Sequence, residues 1–541
     1  MSYTYDPTAY RAVFDRHVTF LGGFWRNVHR YADRLALHDT TRAQTWTYAQ
    51  LGADVDRLAA GLAARGVGPG DVVCFQLFNG AEFALLYLAA QHLGAIATPI
   101  NFRFSAGETA HVLDDSEPTA YVFDASIAPM AAEALDRATH APTVVAAAGA
   151  VEGVTGFDDL LADGPAPARP AGAFDETVRL YTSGTTGMPK GVSLPSVAEV
   201  LTAHDVIMHF PLEPTDKTLN MTPWFHRGGI SPGGPNAIFY AGAAGVTMRR
   251  FDPDACLDMV AEHGLTYLIG APTNLALLAD AQEAKPRDLT TLRGVVTMGA
   301  PLERAACLRY QRVLTPRIFN GYGTTEAFWN TFLRPGDLPE HAGSAGRACT
   351  DDDVAVVRVY DDRLADPSDT VAKDGTETGE IIMRSAKSGY SYVNNDAEQA
   401  ARFHDGWLYS GDLGTWDAQE YVTVVGRKDD MIISGGENVH PVQVEEVLNE
   451  HPLVADSIVV GMPDERWGQL VVAYVQPAGD GLTAAECDRH CREHPMLADF
   501  KRPRAYRFVD DLPRTATGKK MHYLIRDELA DPAAAGALDR P

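Results

Sequence analysis

The segment Tyr181-Thr-Ser-Gly-Thr-Thr-Gly-Met-Pro-Lys190-Gly191 concentrates groups that can hold a polyphosphate. Gly184 and Gly187 let the backbone approach phosphate oxygens closely. Main-chain N–H groups, the hydroxyls of Thr182, Ser183, Thr185 and Thr186, and the Lys190 ammonium can all donate to those oxygens. The spacing is not that of a Walker loop, which puts Lys and then Ser or Thr directly after the second glycine of a G-x-x-x-x-G run. Taken alone, the segment fits a surface loop equally well. A second run, Asn320-Gly321-Tyr322-Gly323-Thr324-Thr325-Glu326-Ala327, sets one carboxylate on a glycine-punctuated turn. There Glu326 can meet a phosphate-bound Mg2+, Thr325 an oxygen, and Tyr322 the face of a base. In Tyr409-Ser-Gly-Asp412-Leu-Gly414, Asp412 can accept from a ribose diol to which Arg427 of Gly426-Arg-Lys-Asp-Asp430 donates, although Ser-Gly-Asp is also a common turn. Finally, Leu512-Pro-Arg-Thr-Ala-Thr-Gly-Lys519 places an ammonium on a glycine turn near the C-terminus of a predominantly acidic chain. Lys520 beside it reads as a solvated tail residue.

Positioning such groups requires strand ends. Apolar runs at Val72–Leu77, Ala120–Asp124, Val178–Tyr181, Leu265–Gly270 and Gly294–Gly299 each lead toward a small-residue turn, and helices are expected at Tyr48–Arg65 and from Ala81. This alternation predicts an α/β fold with parallel sheets carrying ligands at their strand ends. The stretch from Ala81 to Ile100 contains Glu82, Gln91 and His92 and reaches Pro99, so it reads as a buried helix running into a strand rather than a membrane span. Beyond Gly426 the pattern changes to a helix at 441–450, strands at 457–461 and 470–476, and a helix at 483–494, a smaller α+β domain.

Bulk properties narrow the partners. A chain of 541 residues, 45% hydrophobic and 22% charged, needs at least two domains. With 46 basic against 72 acidic residues its formal charge is −26, which disfavours nucleic acid and anionic membrane surfaces. Six scattered cysteines and an N-terminus without a signal-peptide pattern suit a reducing, cytoplasmic setting. Cys487, His490, Cys491 and His494 cluster, but the spacing fits an exposed amphipathic helix better than separated pairs of zinc ligands.

Together the motifs resemble those of the adenylate-forming superfamily, in its acyl- and aryl-CoA ligase branch, whose phosphate loop follows [ST]-S-G-[ST]-[ST]-G-x-P-K-G. The similarity spans residues 30–528 and is greatest to benzoate-CoA ligases of the 4-chlorobenzoate type, notably in 426–441, in Arg466-Trp-Gly-Gln469 and in Ala498-Asp-Phe-Lys-Arg-Pro503. Ser410 stands where the family usually has Thr. The resemblance implies a large multi-sheet N-terminal domain, 1–428, that binds AMP and the acid, and a mobile C-terminal lid, 429–541, turning about Asp429. It implies that ATP, with Mg2+ on Glu326, activates a small carboxylic acid as its acyl-AMP before CoA takes the acyl group. Nucleotide contacts fall to the 182–187 loop, Lys190, Gly299, Ala300, Pro301, residues 320–325, Asp412 and Arg427. Lys519 bridges carboxylate and α-phosphate, while Ser434-Gly435-Gly436-Glu-Asn438 lines a thiol tunnel in the second pose.

His226 corresponds to an aromatic gate residue, and the acid pocket is expected from His226, Arg227, Gly228, Gly323, Phe328 and Trp329, whose aromatics favour a planar or short acid. Arg227 replaces what is often an apolar residue, and is expected to pair with a polar or anionic ring substituent. Other acceptors fit the same adenylation residues: a carrier-protein thiol, another nucleophile, or activated nitrite for diazotisation of an aryl amine. A chain that only binds nucleotide fits less well, since each catalytic position is filled. A homodimer is among the assemblies the chain allows.

Overall fold

The computed structural model describes residues 6–541 apart from 165, 168–170, 184–187, 301, 303, 361–362, 429–431, 440 and 514–521. Gly184, Thr185, Thr186, Gly187, Pro301, Asp429 and Lys519 therefore lie outside the described residues, as do the side chains of Ser183, Arg427 and Asn438.

Two sheets with parallel centres dominate the first part of the chain. The 7-stranded sheet runs Thr155–Gly156, Val144–Ala148, Ala120–Asp124, Val72–Gln76, Ile96–Pro99, Glu176–Ser183, Pro189–Pro195. Only its last pair is antiparallel, a hairpin in which Thr182 faces Lys190 and Ser183 faces Pro189. The 9-stranded sheet has parallel Tyr267–Gly270, Gly294–Met298 and Ile318–Thr324 near one end, then antiparallel Phe328–Leu333. A 5-stranded sheet follows, with Gly379–Ser385 paired to Trp407–Trp416 and the latter to Val422–Arg427. A separate 5-stranded sheet is built from residues 432–508, its longest strands Val454–Asp464 and Gly468–Pro477.

Local chemistry accounts for the elements that matter most. Thr47 and Gln50 close a capping box at the start of Tyr48–Ala64. Helix Ala81–His92 is apolar on every face, and all of it but Glu82 is buried. It hands over to Ile96–Pro99, also fully buried. Strand Val454–Asp464 is longer than its apolar run because Pro463 and Asp464 continue the ladder against Gln469 and Gly468. Helix Ala484–Glu493 turns Cys487 and Cys491 into the core of the small sheet, while His490 contacts the Val447 carbonyl at 2.8 Å. Among the described residues no helix is long and apolar enough to cross a membrane.

One buried polar cluster ties the large sheets to the 379–427 sheet. Lys387 Nζ donates to Asp205 of helix Ser196–His209 at 2.6 Å and to Asp352 at 2.7 Å. Arg334 donates to His209 Nδ1, so the ring proton sits on Nε2, 3.1 Å from Asp205. Among the described residues Asp205, His209 and Cys349 are the one group with metal-ligand atoms close together. Lys387 and Arg334 already supply the positive charge there.

Candidate active site

The hairpin expected to hold phosphates is backed by a segment distant in sequence. Val393 N–H donates to the Gly191 carbonyl at 2.8 Å, and Ser193 N–H to Ser391 at 3.1 Å. This brings Tyr392 to the 320–327 turn, where its hydroxyl donates to Glu326 Oε1 at 2.5 Å. Burial first, then the Glu326 charge, pushes the Tyr392 phenol far above its ordinary value, so it stays a donor. Glu326 is half-buried, and among the described residues Tyr392 is its hydrogen-bond partner. Lys190 is buried, its ammonium 2.7 Å from Glu398. Burial raises the Glu398 carboxyl, but Lys190 and Arg402 outweigh it and hold the group below the usual range. The hairpin lysine is thus an anchored cation rather than a free one.

Asn320, Gly321, Tyr322, Gly323 and Thr324 end the strand Ile318–Thr324. Tyr322 donates to Asp412 Oδ2 at 2.8 Å, joining the second motif to the third. Asp412 in turn faces Arg427 in the ladder of their two strands. Ser410 fills the departure from Thr with its hydroxyl bonded to the Ile381 carbonyl at 2.5 Å and accepting from Asp412 N–H at 3.0 Å. Gly299 and Ala300 follow directly on the buried strand Gly294–Met298.

The small sheet reaches the same place. Strands Ile432–Ser434 and Glu437–Val439 are joined by Gly435 and Gly436, with φ of +60° and +80°. Two successive positive φ values are what a tight type I′ hairpin turn requires. A Cβ on Gly435 would also lie 3.0 Å from the Trp467 ring. The turn delivers Glu437 into the cleft, with Oε2 3.4 Å from His226 Nε2 and from Asn101 Nδ2, and Oε1 3.1 Å from Arg103. Burial raises this carboxyl, but His226 and Arg103 prevail and hold it below its ordinary value. Farther along, Lys501 pairs with Glu108, both almost fully buried, and Gly107 N–H donates to the Pro495 carbonyl at 3.0 Å.

Between these parts lies a cavity of about 50 Å³, bounded by Thr182, Phe225, His226, Arg227, Thr325 and Glu437 among others. Drug-sized ligands need several hundred Å³, so this space must widen to admit an acid. Phe328 and Trp329, expected in its wall, are instead only 2% and 3% exposed and stack on each other in the main core. The Trp329 indole lies over Gly321, where a Cβ would come within 2.5 Å of Nε1. Gly228 abuts Met298 rather than the cavity residues.

Arg227 also differs from expectation. It is not a free cation, because Nη1 is paired with Glu199 and Nη2 donates to Thr202 at 2.9 Å, both on helix Ser196–His209. Glu199 is itself fully buried and accepts from Tyr87 at 2.9 Å and Asn236 at 3.1 Å. An anionic ring substituent beside Arg227 would meet a charge that Glu199 has already neutralised. Tyr392, Glu398 and Glu199 carry no expectation from the sequence, and Glu437, within the 434–438 segment expected at the thiol tunnel, is not expected beside His226. Each is distant in the chain from the group it serves, and isolated acidic or phenolic residues carry no local signal.

A family model described as AMP-binding enzyme matches residues 24–392, and one described as AMP-binding enzyme C-terminal domain matches residues 443–519. The chain is 34% identical over 477 residues to indoleacetate–CoA ligase of Aromatoleum aromaticum, covering 87% of this chain and 91% of that one. It is 30% identical over 526 residues to 4-chlorobenzoate–CoA ligase of an Arthrobacter species, covering 95% of each. Among solved structures, the amide bond synthetase of Marinactinospora thermotolerans superposes with a TM-score of 0.83 at 27% identity, covering 93% of this chain and 99% of that one.

Proposed function

The chain belongs to the AMP-binding enzyme family, and from that premise we propose that it activates a small aromatic carboxylic acid with ATP and transfers the acyl group to CoA. The observation that carries this reading is the Gly435-Gly436 turn seating Glu437 against His226 at a cavity bounded by Thr182 and Thr325. One cleft thereby joins the phosphate hairpin, the expected gate residue and the loop assigned to the thiol.

In the first half-reaction the acid carboxylate attacks the α-phosphorus of ATP and the bond to pyrophosphate breaks. Thr182 and Lys190 orient the phosphates, Tyr322 and Asp412 hold the nucleoside, and Lys519 offsets the repulsion of the two anions. A half-buried carboxylate beside the hydroxyl-bearing Thr324 and Thr325 suits a hard cation, so Glu326 would hold Mg2+, with Tyr392 fixing its other oxygen. When bound, the ion neutralises phosphate charge. In the second half-reaction the CoA sulfur attacks the acyl carbon, AMP leaves, and the thiol proton passes to solvent. Residues 1–428 and 429–541 act as the two bodies, with Asp429 as the pivot between poses.

Incubation with ATP and a panel of aromatic acids, supplied separately with CoA, a carrier protein, an amine or nitrite, tests the acceptor. Mass spectrometry should find acyl-CoA in the CoA arm. Acyl-AMP accumulating there, with product only in another arm, would overturn the choice of CoA. Similarity to an amide bond synthetase is the reason to include the amine.

A further inference from the structure

Arg227 is 5% exposed and bounds the cavity, and its Nε is a buried donor with no hydrogen-bond partner among the described residues. Its other two nitrogens are committed to Glu199 and Thr202. The guanidinium cannot turn to satisfy Nε, because Glu199 is fixed by Tyr87 and Asn236 and the flat face lies 5.6 Å from the Phe328 centroid. A buried N–H left unpaired is costly, and a ligand acceptor that reaches it recovers that cost. The partner's charge is also constrained. Arg227 and Glu199 sum to zero, and a second carboxylate here would lose its hydration without gaining a net cation.

We infer that Arg227 is a specificity residue that selects aromatic acids bearing a neutral hydrogen-bond acceptor, a hydroxyl, alkoxy or carbonyl oxygen, and rejects both the alkyl isostere and the dicarboxylate. The inference rests on the reading of this cleft as the acid site. Of the polar or anionic substituent expected beside Arg227, it keeps the neutral polar one and drops the anionic one, for the stated electrostatic reason. Glu199 acts as a positioning residue that holds the guanidinium of this cavity-lining arginine in place.

The test compares three acids matched in shape, with hydroxyl, methyl or carboxylate as the ring substituent. Affinity is measured by calorimetry without ATP, and turnover by pyrophosphate release. The intact protein should favour the hydroxy acid over the methyl acid by about 10- to 100-fold in both readouts, with the dicarboxylate weakest. Arg227→Met alone strands Glu199, so the paired variant Arg227→Met/Glu199→Gln is used, with its fold checked by thermal melting. Its hydroxyl-to-methyl ratio, which cancels any general loss of activity, should fall to about one. A flat ranking in the intact protein, preference for the dicarboxylate, or an unchanged ratio in the paired variant would overturn the inference. Selective binding without pyrophosphate release would instead overturn the ligase reading and leave the selectivity standing.

Discussion

At position 437 a carboxylate sits among His226, Arg103 and Asn101 in a place where burial alone would drive it toward the neutral form. The neighbours win, so Glu437 stays charged and ties the Gly435-Gly436 turn to the gate residue. In the proposed reaction Lys519 serves the other half of the chemistry. Lys519→Ala should abolish acid-dependent pyrophosphate release yet still convert supplied acyl-AMP to the thioester; equal loss of both steps would show that the lysine does not act separately on the first. The residues to which the sequence gives an expected role are those inside motifs, Thr182, Lys190, Glu326 and Asp412. Their partners were hidden, since Tyr392 and Glu398 meet Glu326 and Lys190 only after the 391–398 segment has folded over the hairpin. Arg227 shows the limit most clearly: its type suggested a free charge, and the fold pairs it with Glu199, 28 positions away.

Elements were more legible than contacts because periodicity is local. Helix Ala81–His92 and the buried strands Val72–Gln76 and Ala120–Asp124 follow from unbroken apolar runs and their punctuation. Less legible was the Gly435-Gly436 turn, which in sequence suggests a passage lacking side chains and in the structure is a positive-φ hairpin bend. Gly435→Ala should cost about 1–3 kcal/mol in the turn and slow thioester formation more than pyrophosphate release, as separate assays of the two steps would show. The tie between helix Ser196–His209 and the 379–427 sheet was invisible in sequence, being made by Lys387, Asp205 and Asp352. Lys387→Met leaves two carboxylates buried without their cation and should destabilise the protein by about 3–5 kcal/mol, measured as a shift in the denaturation midpoint.

Across the whole molecule, the residues 432–508 sheet is docked through Glu437 in the cleft and Lys501 on Glu108. The depressed Glu437 pKa makes docking pH-dependent with a definite sign. A carboxyl whose value is lower when docked than when released stabilises the docked pose above the released value, about 4.3, and that contribution fades as pH falls through the docked value. The pose should therefore persist at neutral pH and loosen in acid. Hydrogen exchange across 432–439 should rise below about pH 4, and Glu437→Gln should show the faster exchange already at pH 7. Exchange in that variant matching the unaltered protein would remove Glu437 from the docking account.

The linear chain was sufficient for the α/β architecture, the phosphate-binding and carboxylate motifs, and the family to which they belong, because hydrophobic period, glycine placement and short motifs are encoded over a few consecutive residues. Tertiary structure decided which charges are free and which surfaces face the cleft. Whether Lys190 and Arg227 stand as open cations, whether Phe328 and Trp329 line a pocket or fill a core, and which loop meets His226 depend on pairings between residues tens to hundreds of positions apart. Burial and partner choice are properties of the packed molecule, and at each of these positions they set the chemistry of the phosphate hairpin and the acid site.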